Sequence, residues 1–477
     1  MYDYKIYEYL AQQIVDLYEP IQTHYIELMA EHLKDIGKLT TTDVHRLEQI
    51  QRMRGNSREI AEELSIVSKK TIKYIEKMFL QIAEDDYSFS EKYYSAKGLN
   101  QIPFSQNTAL KRIVAAEADR TSGLLINLSQ TTASQLKKNP LNYRQAIDTA
   151  VRASSSGISD YNTAIRRVLR KASSEGINFV DFDSGYRRRL DSQVRMNVLE
   201  GIKQTNIGVA RQLGKEFGAD GVEISVHGLC APDHLDIQGY QFTNKEFDKL
   251  QESLDRPIGT LNCKHFVFPI LLGISTSAHS EKELADFKRL STERVEIGGK
   301  EKTRYEWSQE QRKLETAVRK QKDIAVAAKK SEDMLLRRES QAKINAYKTQ
   351  YNQIAKSAGL ESYKERMTVS EFRPVKPLTN AVGEPIIIVK KTTIIGKPNS
   401  ITQRTSSQGG IERNYYGNNG KQEKQIANNN HNRPKYHPFG KHGEHAHDYI
   451  YDKDGILIDR STRELNDRER KENTDIL

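Results

Sequence analysis

Cysteine is nearly absent from this 477-residue sequence, which contains two cysteines, one tryptophan and 12 prolines. So few cysteines argue against a disulfide framework and are typical of proteins made in a reducing compartment. No apolar run approaches the roughly 18 residues of a membrane-spanning helix. The N-terminus also lacks the basic and apolar segments of a secretory signal. We therefore expect a soluble protein that is made inside the cell.

Apolar residues are also scarce, at 36% of the chain, against roughly 45–50% in ordinary globular domains. Charged residues make up 29%, and the net charge is +10. A basic surplus favours acidic partners such as nucleic acid, but here it is spread over many positions and indicates solubility more than a defined site. The length allows two or three domains, which we expect to contain long, solvated helices.

The first part of the chain has the apolar spacing of amphipathic helices, which Gly37 and Gly55 interrupt. Residues 56–80 allow two interpretations: two amphipathic helices packed in a bundle, or a helix-turn-helix that binds DNA through Ser68–Lys77. The bundle is favoured because the second helix lacks a clear set of base-reading Arg, Asn or Gln side chains.

A strand-like piece at residues 179–182 precedes a predicted basic helix that carries an arginine cluster. The cluster consists of Arg187, Arg188, Arg189 and Arg195. It could clamp phosphate or carboxylate groups, or it could form a solvated helix face paired with Asp191 and Glu200.

The stretch from Val226 to Ser275 is turn-rich and holds both cysteines. Alternation of apolar and polar residues predicts a strand at 222–226, which could pair with a second strand at 266–271. Between them, residues 244–254 are predicted to form a short helix that Asn244 caps.

Five residues in this stretch offer nitrogen or sulfur ligands, one more than a structural zinc site needs. They are His227, Cys230, His234, Cys263 and His265. Their spacing lacks the usual CxxC or HxxxH pairs, so three interpretations stay open. Zinc could tie the two distant segments together. The cysteines could be buried small apolar groups while the histidines cap turns. A Cys–His nucleophile pair is the third, although no orienting group or oxyanion site can be named.

The central sequence resembles the phage minor capsid protein family and is more distantly similar to MuF-like head morphogenesis proteins. The resemblance rests on VDFDSGYRRRLDSQVR, VEISVHG, CAPDHLDIQGYQF and IGTLNCKHFVFPILLGIS, and it extends over residues 1–370. The signature positions that it implies are Asp181, Gly185, Arg195, His227, His234, Gly239, Asn262, Cys263 and His265. They are expected to be structural, because the family brings no enzymatic residue set.

The resemblance implies a structural protein of a tailed bacteriophage or prophage, located in the virion near the portal vertex and made in the host cytoplasm. Its expected partners are the portal protein and the major capsid protein. The basic surplus suits additional, sequence-independent phosphate contacts with packaged DNA.

The C-terminal segment lies outside the resemblance and is rich in histidine. It contains His431, His437, His442, His445 and His447. One interpretation is a loop that binds a partner, and a second is a metal site. A third is a nuclease or toxin in which His437, His442, His445 and His447 supply acid–base catalysis, since MuF-like proteins sometimes carry effector domains at this end. The turn DKDG between residues 451 and 456 predicts a hairpin.

The predicted fold class is mainly α, with a small central α+β domain, long charged helices and a short C-terminal hairpin module. We predict five regions. They are an N-terminal helical region that contacts the portal or another partner (1–175), a central α+β domain (176–280), a charged helical arm (281–372), a linker (373–430) and a His-rich module (431–477).

Overall fold

The computed structural model describes residues 4–36, 43–96, 98–138, 161–180, 187–261, 263–375, 378–389, 391–406 and 409–477. The chain forms two compact units, one of Met1–Glu332 with Ala346–Phe372 and one of Asp333–Asn345 with Arg373–Leu477. Most of the described secondary structure is helical, with a few small sheets. This confirms the predicted fold class.

Long helices dominate the first unit. In chain order they begin with α1 (Tyr4–Ile36), α2 (Asp43–Phe89), α3 (Glu91–Ala96), α4 (Thr108–Lys138), α5 (Tyr161–Glu175) and α6 (Leu190–Phe217). Apolar side chains at three- and four-residue spacing bury one face of each long helix, as the sequence predicts. The shared core includes Tyr18, Phe79, Leu110 and Val194, from four different helices. None of the helices in the described part of the chain is long and apolar enough to span a membrane.

Residues 56–80 lie inside the continuous helix α2, so the helix-turn-helix alternative is wrong. Gly55, predicted to interrupt a helix, also lies within α2. The physical reason is that Ile60, Leu64, Ile75 and Phe79 all face the core, and each is fully buried. These apolar residues all lie on one face of the helix, and that face packs along α4 without an intervening turn.

The arginine cluster begins in a strand rather than a helix. β1 (Asn178–Val180) pairs with β2 (Arg187–Arg189) in antiparallel register. Arg189 is buried between the carboxylates of Asp191 and Asp323, and Arg195 pairs with Glu8. These two guanidinium groups are therefore neutralised within the unit.

A three-stranded antiparallel sheet organises the central region, in the order β4–β3–β5. Its strands are β3 (Gly221–Ile224), β4 (Gln241–Thr243) and β5 (Val267–Ile270). The β3–β5 pairing confirms the pairing expected from the sequence. On one face of this sheet Val222, Phe247 and Ile258 form a small core.

The helix after β4, α7 (Asn244–Ser253), is capped by Thr243 rather than by the predicted Asn244. The Thr243 hydroxyl accepts a hydrogen bond from the Glu246 amide (3.1 Å), while the Glu246 carboxylate accepts one from the Thr243 amide (2.9 Å). This reciprocal pair satisfies two amides at the start of the helix, which Asn244 inside the first turn cannot do.

Residues 281–358 continue as helices and one hairpin: α8 (Glu281–Thr292), β6 (Arg294–Ile297), β7 (Lys300–Thr303), α9 (Arg304–Lys330) and α10 (Met334–Ala358). Despite its many charges, α9 packs against α1 and α5. It buries Trp307, Val318 and Ile324 in the first unit. This helix is thus part of the folded first unit.

The second unit contains a six-stranded sheet in the order β13–β12–β11–β10–β9–β8. The strands are β8 (Ile386–Ile388), β9 (Ile401–Thr405), β10 (Ile411–Tyr416), β11 (Gln422–Ala427), β12 (His445–Tyr451) and β13 (Leu457–Arg463), and α11 (Asp467–Glu472) follows. The β12–β13 hairpin around the DKDG turn is as predicted.

Four of these strands occupy the segment that the sequence presents as a linker. The Asn- and Gln-rich composition is misleading because polar side chains of neighbouring strands hydrogen-bond to one another, for example Gln425 to Asn414 (3.0 Å). At the edge of this sheet β8 runs parallel to β9.

Candidate metal centre

The β3–β5 pairing brings the two halves of the Cys- and His-containing stretch together. His227 follows β3, while Cys263 and His265 precede β5. A 3₁₀ turn, Pro232–His234, presents the third histidine. As a result, one ligand atom each of His234, Cys263 and His265 lies within 4.8 Å of the others.

The hydrogen bond of His234 identifies which of its nitrogens is free to bind a metal. Nε2 lies 2.6 Å from the backbone carbonyl oxygen of Arg256. A carbonyl only accepts, so Nε2 carries the proton and Nδ1 keeps its lone pair. That Nδ1 atom lies 3.7 Å from the Cys263 Sγ atom.

His265 is oriented in the same way by Gln238. The backbone amide of His227 donates to Gln238 Oε1 (3.2 Å), which fixes the orientation of the side-chain amide. The same oxygen accepts a hydrogen bond from His265 Nε2 (3.3 Å). His265 Nδ1 is therefore unprotonated, and it lies 3.4 Å from Cys263 Sγ.

These distances match those of a zinc site. A tetrahedral zinc ion with its usual bond lengths separates a sulfur ligand from a nitrogen ligand by about 3.6 Å. The two observed separations, 3.7 and 3.4 Å, bracket that value. In addition, a metal-binding histidine usually donates a hydrogen bond from its second ring N–H to a carbonyl oxygen, which fixes the orientation of the ring. The residues therefore fit a zinc ion with three protein ligands and one open position.

His227 and Cys230 contribute differently. His227 Nδ1 accepts from the Leu229 amide (3.3 Å), which places the proton on Nε2. Cys230 Sγ donates to the Ala231 carbonyl (3.3 Å). Although Cys230 Sγ is 3.6 Å from His265 Nε2, that nitrogen is protonated in the arrangement above. We assign these two residues to the packing around the centre, with the His227 ring 4.4 Å from the His265 ring.

The two cysteines differ in their acidity. Burial raises the pKa of Cys230 to about 12, so it stays a thiol. Burial raises the pKa of Cys263, but hydrogen bonds with the His234 ring and with the backbone of Gly259 and His265 together lower it below its ordinary value. Burial holds the pKa of His265 well below the usual range. A neutral imidazole beside an acidic thiol is the protonation pattern that zinc requires.

Without a metal ion, the same two groups form a thiol–imidazole pair. Burial lowers the pKa of His234, but its interactions with Cys263, the Arg256 carbonyl and Asp233 together raise it above its ordinary value. Both shifts draw the proton of the Cys263 thiol towards the His234 imidazole.

A cavity of about 240 Å³ opens beside these ligands within the first unit. Its lining is rich in cationic side chains, namely Arg188, Arg256, Lys264, Arg312 and Arg366. Glu315 and Glu361 line it as well. A metal ion with an open position here would face a basic chamber that suits small anions.

The remaining signature positions have structural explanations where they are described. Gly239 has a φ of +79°, and a Cβ atom there would collide with Leu284. Arg195 is the buried partner of Glu8. Asp181, Gly185 and Asn262 lie outside the described residues.

Sequence reasoning missed the residues that orient the ligands. Arg256 acts through its backbone carbonyl, which no sequence pattern reveals, and Gln238 precedes the signature glycine without any special spacing. Of the two acidic residues near His234, Asp233 pairs with Arg256 and lies 3.8 Å from His234 Nε2, whereas Asp236 pairs with Lys288.

The second unit gathers four of the five C-terminal histidines. His431, His437, His445 and His447 have ring centroids 4.1–6.4 Å apart and form what we call the C-terminal histidine cluster. His442, which was grouped with them from the sequence, is exposed and is not among these ring contacts.

A family model described as phage minor capsid protein 2 matches residues 3–355. No curated protein and no solved structure matches the chain. The matched range contains the candidate metal centre, whereas the six-stranded sheet and the C-terminal histidine cluster lie beyond it.

Proposed function

Because the chain belongs to the phage minor capsid protein 2 family, we propose that it joins the portal protein to the major capsid protein during head assembly. The observation that carries this proposal is the family match, which includes all helices of the first unit up to α9. A minor capsid protein is a component of the virion, and assembly requires contacts with other capsid components. Beyond membership of the family, we propose that the protein is located at the portal vertex.

An exposed stripe on α2 supports a protein partner. Ile66, Tyr74 and Leu80 are 65%, 47% and 42% exposed, although all three are large apolar residues. Lys70, Lys73 and Lys77 lie among them, also exposed. Apolar side chains surrounded by charge are typical of protein interaction surfaces.

The proposal is tested in phage particles. A variant with Ile66→Ser and Leu80→Ser should assemble into heads less efficiently than wild type, because it removes apolar contact area. Ile274→Ser is a matched control, since Ile274 is 78% exposed elsewhere in the same unit. If deleting the gene leaves particle number, DNA content and head morphology unchanged, the proposed role is incorrect.

DNA binding is the second part of the proposed role. On α5, Arg167 and Lys171 are exposed while Val168 and Leu169 are buried. The logarithm of the DNA-binding constant falls linearly with the logarithm of the salt concentration. Each DNA phosphate that the protein neutralises makes this slope steeper by about 0.9. Changing Arg167 and Lys171 to Gln should therefore reduce this slope by up to about 2, without altering sequence preference. An unchanged slope shows that α5 does not bind the DNA backbone.

We infer that the candidate metal centre is a zinc staple within the central domain. His234 and Cys263 are 29 residues apart in sequence, so one ion would link the two segments that flank α7. Elemental analysis of the purified chain tests this inference. Cys263→Ser should lose one equivalent of zinc, whereas Cys230→Ser, the matched control, should retain it. Equal zinc contents in the two variants contradict the staple.

A second candidate function concerns the C-terminal end alone. The histidine cluster lies beyond the family match, which favours a role separate from the capsid function. In this alternative the chain is a capsid-associated effector with a nuclease or toxin module. Expression of the full chain with and without His445→Ala tests it. Absence of both toxicity and nucleic-acid cleavage in the unmodified chain excludes it.

A further inference from the structure

The six-stranded sheet of the second unit has one face that is polar and yet buried. In register across the strands this face includes Thr402, Glu412, Asn414, Gln425, His445 and His447. All six are at most 7% exposed. The opposite face holds the small apolar core of Ile426, Ala446 and Leu465. Burying polar groups costs free energy unless each is hydrogen-bonded.

The polar face is held together by side-chain hydrogen bonds. Asn414 Oδ1 accepts from both Gln422 (2.8 Å) and Gln425 (3.0 Å), and Gln425 also donates to Glu412 (3.2 Å). A network of this kind supports fold stability less efficiently than apolar packing, and it is typical of a site that serves another purpose.

His445 and His447 project from this face at adjacent positions of β12, because residues two apart share a side of a strand. Their Nε2 atoms are 3.0 Å apart. His445 Nδ1 lies 2.8 Å from the Gly443 carbonyl oxygen, to which it must donate, so its Nε2 atom keeps the lone pair. His447 Nδ1 is held by the Thr462 hydroxyl (2.9 Å). Both rings therefore direct Nε2 into the same small space.

The loop after β11 adds a third histidine at the cost of backbone strain. His431 and Asn432 have φ values of +53° and +61°, a region that non-glycine residues rarely adopt. Strained backbone of this kind is concentrated at functional sites. With this backbone conformation, the His431 ring lies 5.1 Å from the His445 ring. One ligand atom each of His431, His445 and His447 then lies within 4.8 Å of the others.

His437 completes the cluster from the same loop. Its ring stacks on His445 at 4.1 Å. Its Nδ1 atom is buried, with no hydrogen-bond partner among the residues that the structure describes. An unsatisfied buried nitrogen beside three convergent imidazoles indicates a position that an additional polar species would occupy.

We propose that His431, His445 and His447 bind one divalent transition-metal ion, with zinc as the best-fitting ion and a fourth coordination position left open. Two imidazole nitrogens on a tetrahedral zinc ion lie about 3.3 Å apart, close to the 3.0 Å between the two Nε2 atoms. Three imidazoles suit zinc, copper and nickel, whereas magnesium and calcium prefer oxygen ligands. The Gly443 carbonyl and the Thr462 hydroxyl are the outer partners that orient such ligands.

The geometry favours metal binding over a ribonuclease-like acid–base pair. Two histidines that act on one phosphate each bond an oxygen at about 2.8 Å, so their nitrogens lie more than about 4 Å apart. The His445 and His447 nitrogens are too close together for a phosphate group to fit between them. A metal ion would also tie the strained loop to β12, so that its loss should release residues 428–444.

The experiment uses the full chain carrying Cys263→Ser, which removes the central zinc site and keeps the two proposals separable. Calorimetric titration with zinc should show one equivalent bound. His431→Ala and His447→Ala should each reduce the affinity at least 10-fold. His442→Ala is the matched control, because His442 is an exposed histidine of the same loop, and it should bind zinc like its parent.

Two further measurements guard against unfolded variants. Cobalt bound at this all-nitrogen site should lack the sulfur-to-metal charge-transfer absorption that a Cys263 thiolate would give at the central site. Zinc should also slow amide hydrogen exchange in residues 428–444 of the unmutated chain. The proposal is overturned if the Cys263→Ser chain binds no zinc, if His442→Ala loses as much affinity as His447→Ala, or if zinc leaves exchange in the loop unchanged.

Discussion

Asp323→Ala should destabilise the first unit by about 3–5 kcal/mol, because it removes one of the two carboxylates that neutralise a buried arginine. Asp323 is fully buried on α9, and its Oδ2 atom lies 2.7 Å from Nη1 of Arg189 in β2. Asp191 of α6 lies 2.6 Å from Arg319 and 3.3 Å from Arg189. These four charges join three elements, and they sum to zero.

The magnitude follows from the geometry. At 2.7 Å and an effective dielectric constant of about 20, the Arg189–Asp323 attraction is about 6 kcal/mol. The variant loses less than this amount, because Asp191 still neutralises Arg189. Burial raises the pKa of Asp191, but Arg189 and Arg319 outweigh it and hold that pKa below its usual range. The expected loss of about 3–5 kcal/mol is at least about a fifth of the roughly 5–15 kcal/mol by which a typical domain is stable.

Urea unfolding of the full chain measures this loss. Asp323→Asn keeps the shape of the side chain and removes its charge, so a loss as large as that of Asp323→Ala identifies charge as the cause. Asp236→Ala is the control, because the Asp236–Lys288 pair is exposed and exposed ion pairs contribute little to stability. A loss below about 1 kcal/mol for Asp323→Ala refutes the reasoning.

Two further predictions concern titratable groups. Burial raises the pKa of Glu469, but hydrogen bonds from Arg463 and Lys424 lower it to about 2, below its ordinary value of 4.5. Its stabilisation is therefore present above pH ~4.5 and lost as the pH falls towards ~2, and about 2 kcal/mol should be lost by pH 3. Urea unfolding at pH 6 and pH 3 should show this loss in the wild type and a smaller one in Glu469→Gln. Iodoacetamide at pH 7.5 should alkylate Cys263 before Cys230, as mass spectrometry of the digested protein would detect, and added zinc should protect Cys263. Faster reaction of Cys230 contradicts the assigned acidities.

Local signals predicted those parts of the fold that depend on local physics. Three- and four-residue apolar spacing predicted the helices of the first unit, because a helix buries one stripe. The β12–β13 hairpin followed from its DKDG turn, since that turn alone brings the two strands together. The β3–β5 pairing was predictable because the two strand-like segments lie at the two ends of the same turn-rich stretch.

Local sequence patterns gave wrong predictions where contacts with residues distant in the sequence determine the secondary structure. Gly55 is a weak helix former, yet α2 continues through it because tertiary packing outweighs a propensity of about 1 kcal/mol. The polar segment from Ile401 to Ala427 forms strands because its Asn and Gln side chains find hydrogen-bond partners on neighbouring strands. Composition alone does not contain those partners, so it indicated a linker.

The sequence by itself determined the family, the mainly helical class and the residue types that gather in the two histidine-rich sites. Only the tertiary structure decided which atoms of those residues face one another. His234 and His265 direct Nδ1 towards Cys263 because the Arg256 carbonyl and the Gln238 amide hold their other nitrogens. His445 and His447 direct Nε2 because Gly443 and Thr462 hold Nδ1. Ligand orientation is set by hydrogen bonds from other segments, and the spacing of histidines along the chain does not encode them.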